Sequence, residues 1–159
     1  MRTRDILEPV RLILLVPLLL AAACQGPSTS ENQAKFDPTK EPRYAETVER
    51  LSAIVRDAEA AFKDGKADQA ADLIQKGQTW TTELLSAAHP TLPAIKAVSD
   101  LDDLYARMLV SNRHYGAARM LYQKNLARWK AWPEQNDDTA RLRKQAEAGI
   151  AECDRKMTE

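Results

Sequence analysis

The chain is poor in the residues that build tight turns, disulfides and metal sites. Its 159 residues include 5 Gly and 8 Pro, too few for the many turns of an all-β protein. Two cysteines and two histidines cannot form a disulfide framework or a cysteine-rich zinc site. The 23 basic and 23 acidic side chains balance, so no net charge points to nucleic acid. Hydrophobic residues make up 44% of the chain, which is enough for one folded core.

Motifs that carry catalysis are also missing from the sequence. We find no nucleophile elbow, no phosphate-binding glycine loop and no HExxH helix. The neighbouring carboxylates Asp102 and Asp103 point about 100° apart on a helix, so they cannot act as a close acid–base pair. His89 and His114 lie at helix breaks and lack the spacing of zinc ligands. We therefore expect a protein that is not an enzyme and that holds no metal and no other cofactor.

The first hydrophobic run is too short to span a bilayer. It covers residues 12–23, follows Arg11 and contains Pro17, whereas a spanning helix needs roughly 20 apolar residues. This length and the basic flank predict a secretory signal peptide over residues 1–23. The run ends in three alanines followed by Cys24. Small residues before a cysteine at this point resemble the lipobox of bacterial lipoproteins.

The resemblance implies cleavage after Ala23, diacylglycerol on the thiol of Cys24 and a fatty acid such as palmitate on its new amino terminus. Such a lipid would anchor the chain in the bacterial cell envelope. Gln25 in place of an aspartate after the cysteine favours the periplasmic face of the outer membrane. The alternative is an ordinary secretory signal that leaves Cys24 unmodified. Residues 24–42 are rich in proline and small polar residues and predict a flexible tether.

Residues 43–159 predict an all-α domain of five helices. Apolar residues recur there at helical spacing, with no alternation of period two. Thr91 is suited to cap the third helix, whose first turn contains Pro93, and Pro133 ends the fourth. The first expected helix runs from about residue 43 to a stop at Asp64 and Gly65, the second covers about 67–88 and the fourth about 115–132. The third follows Thr91 and carries apolar residues from Ile95 to Leu109, and the fifth begins near Asp137 and carries them to Met157.

The first two helical hairpins have similar sequences. At an offset of 47 residues, Gly65 aligns with Asn112 and Ile74 with Leu121. The pattern of the first block resembles a tetratricopeptide (TPR) repeat over residues 50–80, and more weakly over 98–127. The residues that carry it are Ala58, Ala61, Phe62, Gly65, Ala70, Ile74 and Gly77.

The resemblance implies antiparallel hairpins stacked as a solenoid, with small residues at Ala58, Ala70 and Gly77 that allow close helix contact. The fifth helix would then be a C-terminal cap. The second block departs from the pattern at Tyr105 and Lys124, and the offset exceeds the family's repeat of about 34 residues. An unrelated five-helix bundle is the alternative.

Two surfaces are candidates for binding a partner. In the TPR family the first helix of each hairpin lines a concave groove, and the residues this places there are Arg56, Glu59, Phe62, Lys63, Asp102 and Asp103. Residues 105–144 carry 9 basic and 3 acidic side chains interleaved with aromatic residues, which suggests a face for an acidic partner or an anionic polymer. Its candidate members are Arg119, Tyr122, Arg128 and Trp129. Solvated helix faces and a tryptophan in the core are the alternative interpretation.

These observations predict an envelope-anchored lipoprotein whose helical domain is a non-catalytic adaptor for an envelope protein or peptide segment. A pilotin-like chaperone of a secretion-channel subunit would have a similar size and anchor. A glycan-binding accessory factor would use the basic, aromatic region. Cys153 lies on the apolar stripe of the fifth helix, so we expect a buried thiol, or else an intermolecular disulfide.

Overall fold

The computed structural model describes residues 37–159. Within this range the chain forms one short 3₁₀ helix over Pro38–Lys40 and five α-helices, and it contains no strand. The helices are α1 (Pro42–Lys63), α2 (Ala67–Leu85), α3 (Leu92–Ser111), α4 (Tyr115–Ala131) and α5 (Asp137–Thr158). The all-α fold of five helices is confirmed. Ala23 and Cys24 lie outside the described residues, as do the signal peptide and most of the expected tether.

The helix ends follow local sequence signals. The Thr91 side chain accepts a hydrogen bond from the amide of Ala94 and caps α3, as expected. α5 is capped by Asn136, whose side chain and backbone bond reciprocally with Thr139. α2 ends three residues earlier than expected, at Leu85. Each helix therefore begins or ends where a polar cap or a turn satisfies its free backbone groups.

The core divides into two clusters along the chain. The larger cluster lies among α1, α2 and α3 and includes Leu51, Leu84 and Leu101. A smaller cluster lies among α3, α4 and α5 and contains Tyr122 and Cys153. α3 is thus shared by both clusters, while α5 packs mainly against α4. Each helix packs on the next one in sequence, and α1 also packs on α3.

The two hairpins α1–α2 and α3–α4 repeat with an offset of 48 residues, so the alignment at 47 was wrong by one. α1 and α3 end 48 residues apart, and α2 and α4 begin 48 residues apart. The three backbone hydrogen bonds that close each turn also correspond at 48. The left-handed turn residues are Gly65, with φ 75°, and Arg113, with φ 62°. The offset of 47 paired similar residues, such as Ile74 with Leu121, and it aligned Gly65 with Asn112, the residue before the left-handed Arg113.

The corrected register explains the small residues at the helix contacts. Ala58 now corresponds to Ala106 and Ala70 to Ala118, and all four are fully buried. The Cα of Gly77 is so close to α1 and α3 that an added Cβ would lie 3.1 Å from the side chain of Leu101. Small side chains at these positions let neighbouring helices approach, which is the packing role expected for them.

Candidate functional site

A groove of about 560 Å³ lies between α1 and α3 and reaches α5. The contributing residues of α1 and α3 recur every three or four positions, so each helix presents one face to it. Gln145 is the α5 residue at its edge. The other lining residues are Val48, Ser52, Val55, Arg56, Glu59, Pro93, Lys96, Ala97, Asp100, Asp103 and Arg107.

A chain of polar contacts crosses the groove and joins the three helices. Arg107 on α3 donates from Nη2 to Oε1 of Glu59 on α1, at 3.3 Å, and from Nε to Oδ2 of Asp103, at 3.0 Å. Gln145 on α5 donates to the other oxygen of Asp103, at 3.1 Å. Lys63 also approaches Glu59, with an Nζ–Oε1 distance of 3.4 Å. Through its contacts with Glu59 and Asp103, Arg107 links α1 and α3 across the groove.

Asp100 is the one carboxylate of the groove that has no hydrogen bond or ion pair among the described residues. It is half-buried, and it also lines a small cleft with Trp129 and Leu142. Desolvation raises the pKa of Asp100 above its ordinary value, and the positive charge of Lys96 opposes part of that shift. The fold thus keeps a partly desolvated acid next to the groove.

The sequence analysis placed six residues in this groove, and the structure brings three of them there. Arg56, Glu59 and Asp103 line it. Phe62 is partly buried against the core cluster of α1, α2 and α3. Lys63 is exposed and reaches the groove only through its contact with Glu59.

The sixth residue, Asp102, faces α4 and not the groove. Its carboxylate forms an ion pair with Arg128 at 2.9 Å, and both side chains are only 11% exposed. Lys124 contacts the same carboxylate at 3.2 Å. Arg128 also bonds to Ser99 and Asn125, and Asn125 donates to the backbone oxygen of Ser99 at 3.0 Å. Because adjacent helical residues point about 100° apart, Asp103 can face the groove while Asp102 faces α4.

The expected basic, aromatic face is not formed by its four candidate residues. Tyr122 and Trp129 are buried, with 5% and 1% of their surface exposed, and burial raises the pKa of Tyr122 to about 12. Arg128 is held in the ion pair with Asp102. Arg119 binds Asp154 on α5 at 2.6 Å. Tyr122, Arg128 and Trp129 therefore lie inside the packing of α3, α4 and α5, which confirms the core location of Trp129, while Arg119 joins α4 to α5 at a partly exposed position.

The sequence analysis missed the buried ion pair, although the repeat contains a signal for it. At an offset of 48, four residues of the first hairpin, α1 and α2, align with the four residues that form the polar cluster between α3 and α4. The apolar set is Leu51, Ile54, Gly77 and Trp80, and the polar set is Ser99, Asp102, Asn125 and Arg128. The correct register therefore marks Asp102 as an inward-facing residue, and an inward acid needs a cation on the facing helix.

The remaining cysteine and histidine side chains of the described residues do not lie together in a site. Cys153 is buried, and desolvation raises the pKa of its thiol. His89 and His114 are exposed. Residues 37–159 contain no group of three or more His, Cys, Asp or Glu side chains that could hold a metal ion. None of the helices in this range is long and apolar enough to cross a membrane.

The groove offers fixed charges, hydrogen-bonding groups and aliphatic side chains along two parallel helical faces. This arrangement can hold a segment of another molecule by ion pairs and apolar contact. No protein-family model, curated protein or solved structure matches this chain.

Proposed function

We propose that this chain is an envelope lipoprotein whose helical domain is a TPR-like, non-catalytic adaptor. The observation that carries the proposal is the groove, because it is lined by α1 and α3, the first helices of the two hairpins, and extends to α5. The division of the core into two clusters that share α3 supports a stacked arrangement of hairpins. The lipobox-like sequence ending at Cys24 supports an anchor at the periplasmic face of the outer membrane.

The groove supports a protein segment as the ligand better than a glycan. The candidate residues for a glycan face, Tyr122, Arg128 and Trp129, are buried or engaged in a buried ion pair. The groove itself is already formed in the unliganded chain, and polar contacts link its walls. A preformed groove reduces the entropy lost on binding, which favours an adaptor role.

A crosslinking pull-down from intact cells tests the proposal. Tagged full-length protein is compared with Ser52→Trp, in which a large ring fills the groove, and with Thr79→Trp, which places the same ring on the exposed surface of α2. We expect one envelope protein to be enriched by the wild type and by Thr79→Trp and lost with Ser52→Trp. Equal enrichment by all three proteins would contradict a role for the groove.

A Cys24→Ser variant tests the anchor in the same cells. We expect the wild type to fractionate with the outer membrane and the variant to be released from it. Unchanged fractionation would contradict the lipoprotein part of the proposal. If the captured partner is a secretion-channel subunit that is mislocalised without this chain, the adaptor is of the pilotin-like type.

A further inference from the structure

A segment seated in the groove would cover Asp100. The carboxylate of Asp100 lies between the wall of α3 and the cleft toward α5, and it is already half-buried before anything binds. A ligand that excludes water from the groove would complete this burial. Burying a charged carboxylate without a partner is strongly unfavourable, so a ligand that supplies a hydrogen-bond donor or a positive charge at this point is favoured over one that forces Asp100 to take up a proton.

The other two acids of the groove do not have this requirement. Asp103 uses one oxygen for Arg107 and the other for Gln145. Glu59 is shared between Arg107 and Lys63. These groups remain satisfied when the groove is covered, since their partners belong to the protein itself. Asp100 is therefore the groove acid whose charge is still available to a cation of the ligand.

The two other cations of the groove do not dictate an acidic ligand. Arg56 and Lys96 are exposed and form no ion pair within residues 37–159, so their long side chains can keep the charged ends in water when the groove is covered. Lys96, one turn from Asp100 on α3, and Arg141 on α5 are the cations whose charges lower the pKa of Asp100, and they compete with a ligand cation. The structure leaves the carboxylate of Asp100 open, because no Lys96–Asp100 ion pair is formed.

We propose that the groove recognises a partner segment by a lysine or arginine side chain that pairs with Asp100, with an aliphatic neighbour packed on Val48 and Val55. The proposal rests on the adaptor function and names the chemistry of its ligand. Positive charge on the ligand complements the open carboxylate, and the aliphatic wall of α1 provides the apolar contact. A charged hydrogen bond formed in a dehydrated groove is stronger than one at an exposed surface.

The test uses purified full-length protein and a phage-displayed library of random linear peptides. Selected peptides are synthesised, and their affinities are measured for the wild type, Asp100→Asn, and Asp72→Asn. Asp72 is an exposed acid of α2 and is the matched control. We expect the selected peptides to share a basic residue beside an aliphatic one. Asp100→Asn should weaken their binding about tenfold to a hundredfold, while Asp72→Asn leaves it unchanged.

A Lys96→Gln variant separates this proposal from recognition of an acidic segment. Removing this competing cation should leave the binding of basic peptides unchanged or make it tighter. Selection of acidic peptides, or weaker binding in Lys96→Gln, would overturn the proposal. Basic peptides that bind Asp100→Asn as tightly as the wild type would also overturn it.

The experiments distinguish a failure of the proposed role of Asp100 from a failure of the proposed adaptor function. Peptides selected without a basic residue, but displaced from the groove by Ser52→Trp, would refute only the role of Asp100. If the library yields no ligand, and the pull-down also shows no effect of Ser52→Trp, both proposals fail. Loss of fold cannot mimic the expected result, because removal of the desolvated charge should leave Asp100→Asn at least as stable as the wild type.

Discussion

Gly149 should be the glycine of this fold that is least tolerant of substitution. It lies on α5 where that helix contacts the ring of Tyr122 on α4, and an added Cβ would be 2.6–2.7 Å from three ring atoms. Ordinary van der Waals contact requires 3.4–4 Å. The ring or the helix must therefore move by about 1 Å, and overpacking of this kind costs about 1–3 kcal/mol. The ring of Tyr122 is buried, so it has little room to move.

The expected net effect of Gly149→Ala is a loss of about 1–2 kcal/mol in the free energy of unfolding, because alanine recovers up to about 1 kcal/mol of helix propensity. Gly116→Ala is the matched control. It makes the same change on α4, where an added Cβ meets no atom within 4 Å. This variant should be as stable as the wild type or more stable, by up to about 1 kcal/mol.

Urea titration followed by far-UV circular dichroism measures both variants, and thermal melts should separate them by about 10 °C. Tyr122→Leu provides a further check, because the smaller side chain makes room for the methyl group. The double variant should then be more stable than the sum of the two single changes predicts. If Gly149→Ala gains as much stability as Gly116→Ala, the close approach of α5 to Tyr122 is refuted.

Three further predictions concern the charges and the turn of the second hairpin. Asp102→Ala should lower the free energy of unfolding by about 3–5 kcal/mol, since it leaves Arg128 charged and buried. The double variant Asp102→Leu with Arg128→Met removes both charges and should lose much less stability. Urea titrations in which the double variant is as unstable as Asp102→Ala would contradict this. Because the pKa of Asp100 is raised in the folded chain, the contribution of Asp100 to stability falls as pH rises through the acidic range. The stability of Asp100→Asn relative to the wild type should therefore increase with pH until Asp100 is fully ionised. Melts with a constant difference from acidic to neutral pH would refute that reasoning. Arg113→Gly should raise the free energy of unfolding by about 0.5–1 kcal/mol because it removes a left-handed arginine, and an unchanged or lower value in urea would count against it.

The local elements of this fold could be predicted from the sequence because they depend on near neighbours. The 3.6-residue period of apolar side chains indicated all five helices, and Thr91 was identified as the cap of α3 before any contact was known. The turn register was harder, because it depended on which residue adopts the left-handed conformation. Glycine at position 65 signals that conformation, but arginine at position 113 does not, and the repeat offset was therefore wrong by one residue.

The groove could be predicted only in outline. The analogy with paired hairpins indicated the faces of the odd-numbered helices, and three of the residues it indicated, Arg56, Glu59 and Asp103, line the groove. It could not tell that Asp102 turns toward α4, because a polar residue at a helix contact looks like a solvated one until its partner is known. Arg128, 26 residues away, supplies that partner.

The sequence by itself determined the class of fold, the number of helices with most of their limits, and the short hydrophobic run that precedes Cys24. These features follow from hydrophobic period, capping residues and local composition, which act over a few positions. The tertiary structure decided which charges meet. Asp102 became part of the core, Asp103 became part of a network across three helices, and Asp100 was left open beside the groove. Burial and ion pairing depend on residues brought together from different helices, so only the packed fold distinguishes three acids that stand within four positions of one another.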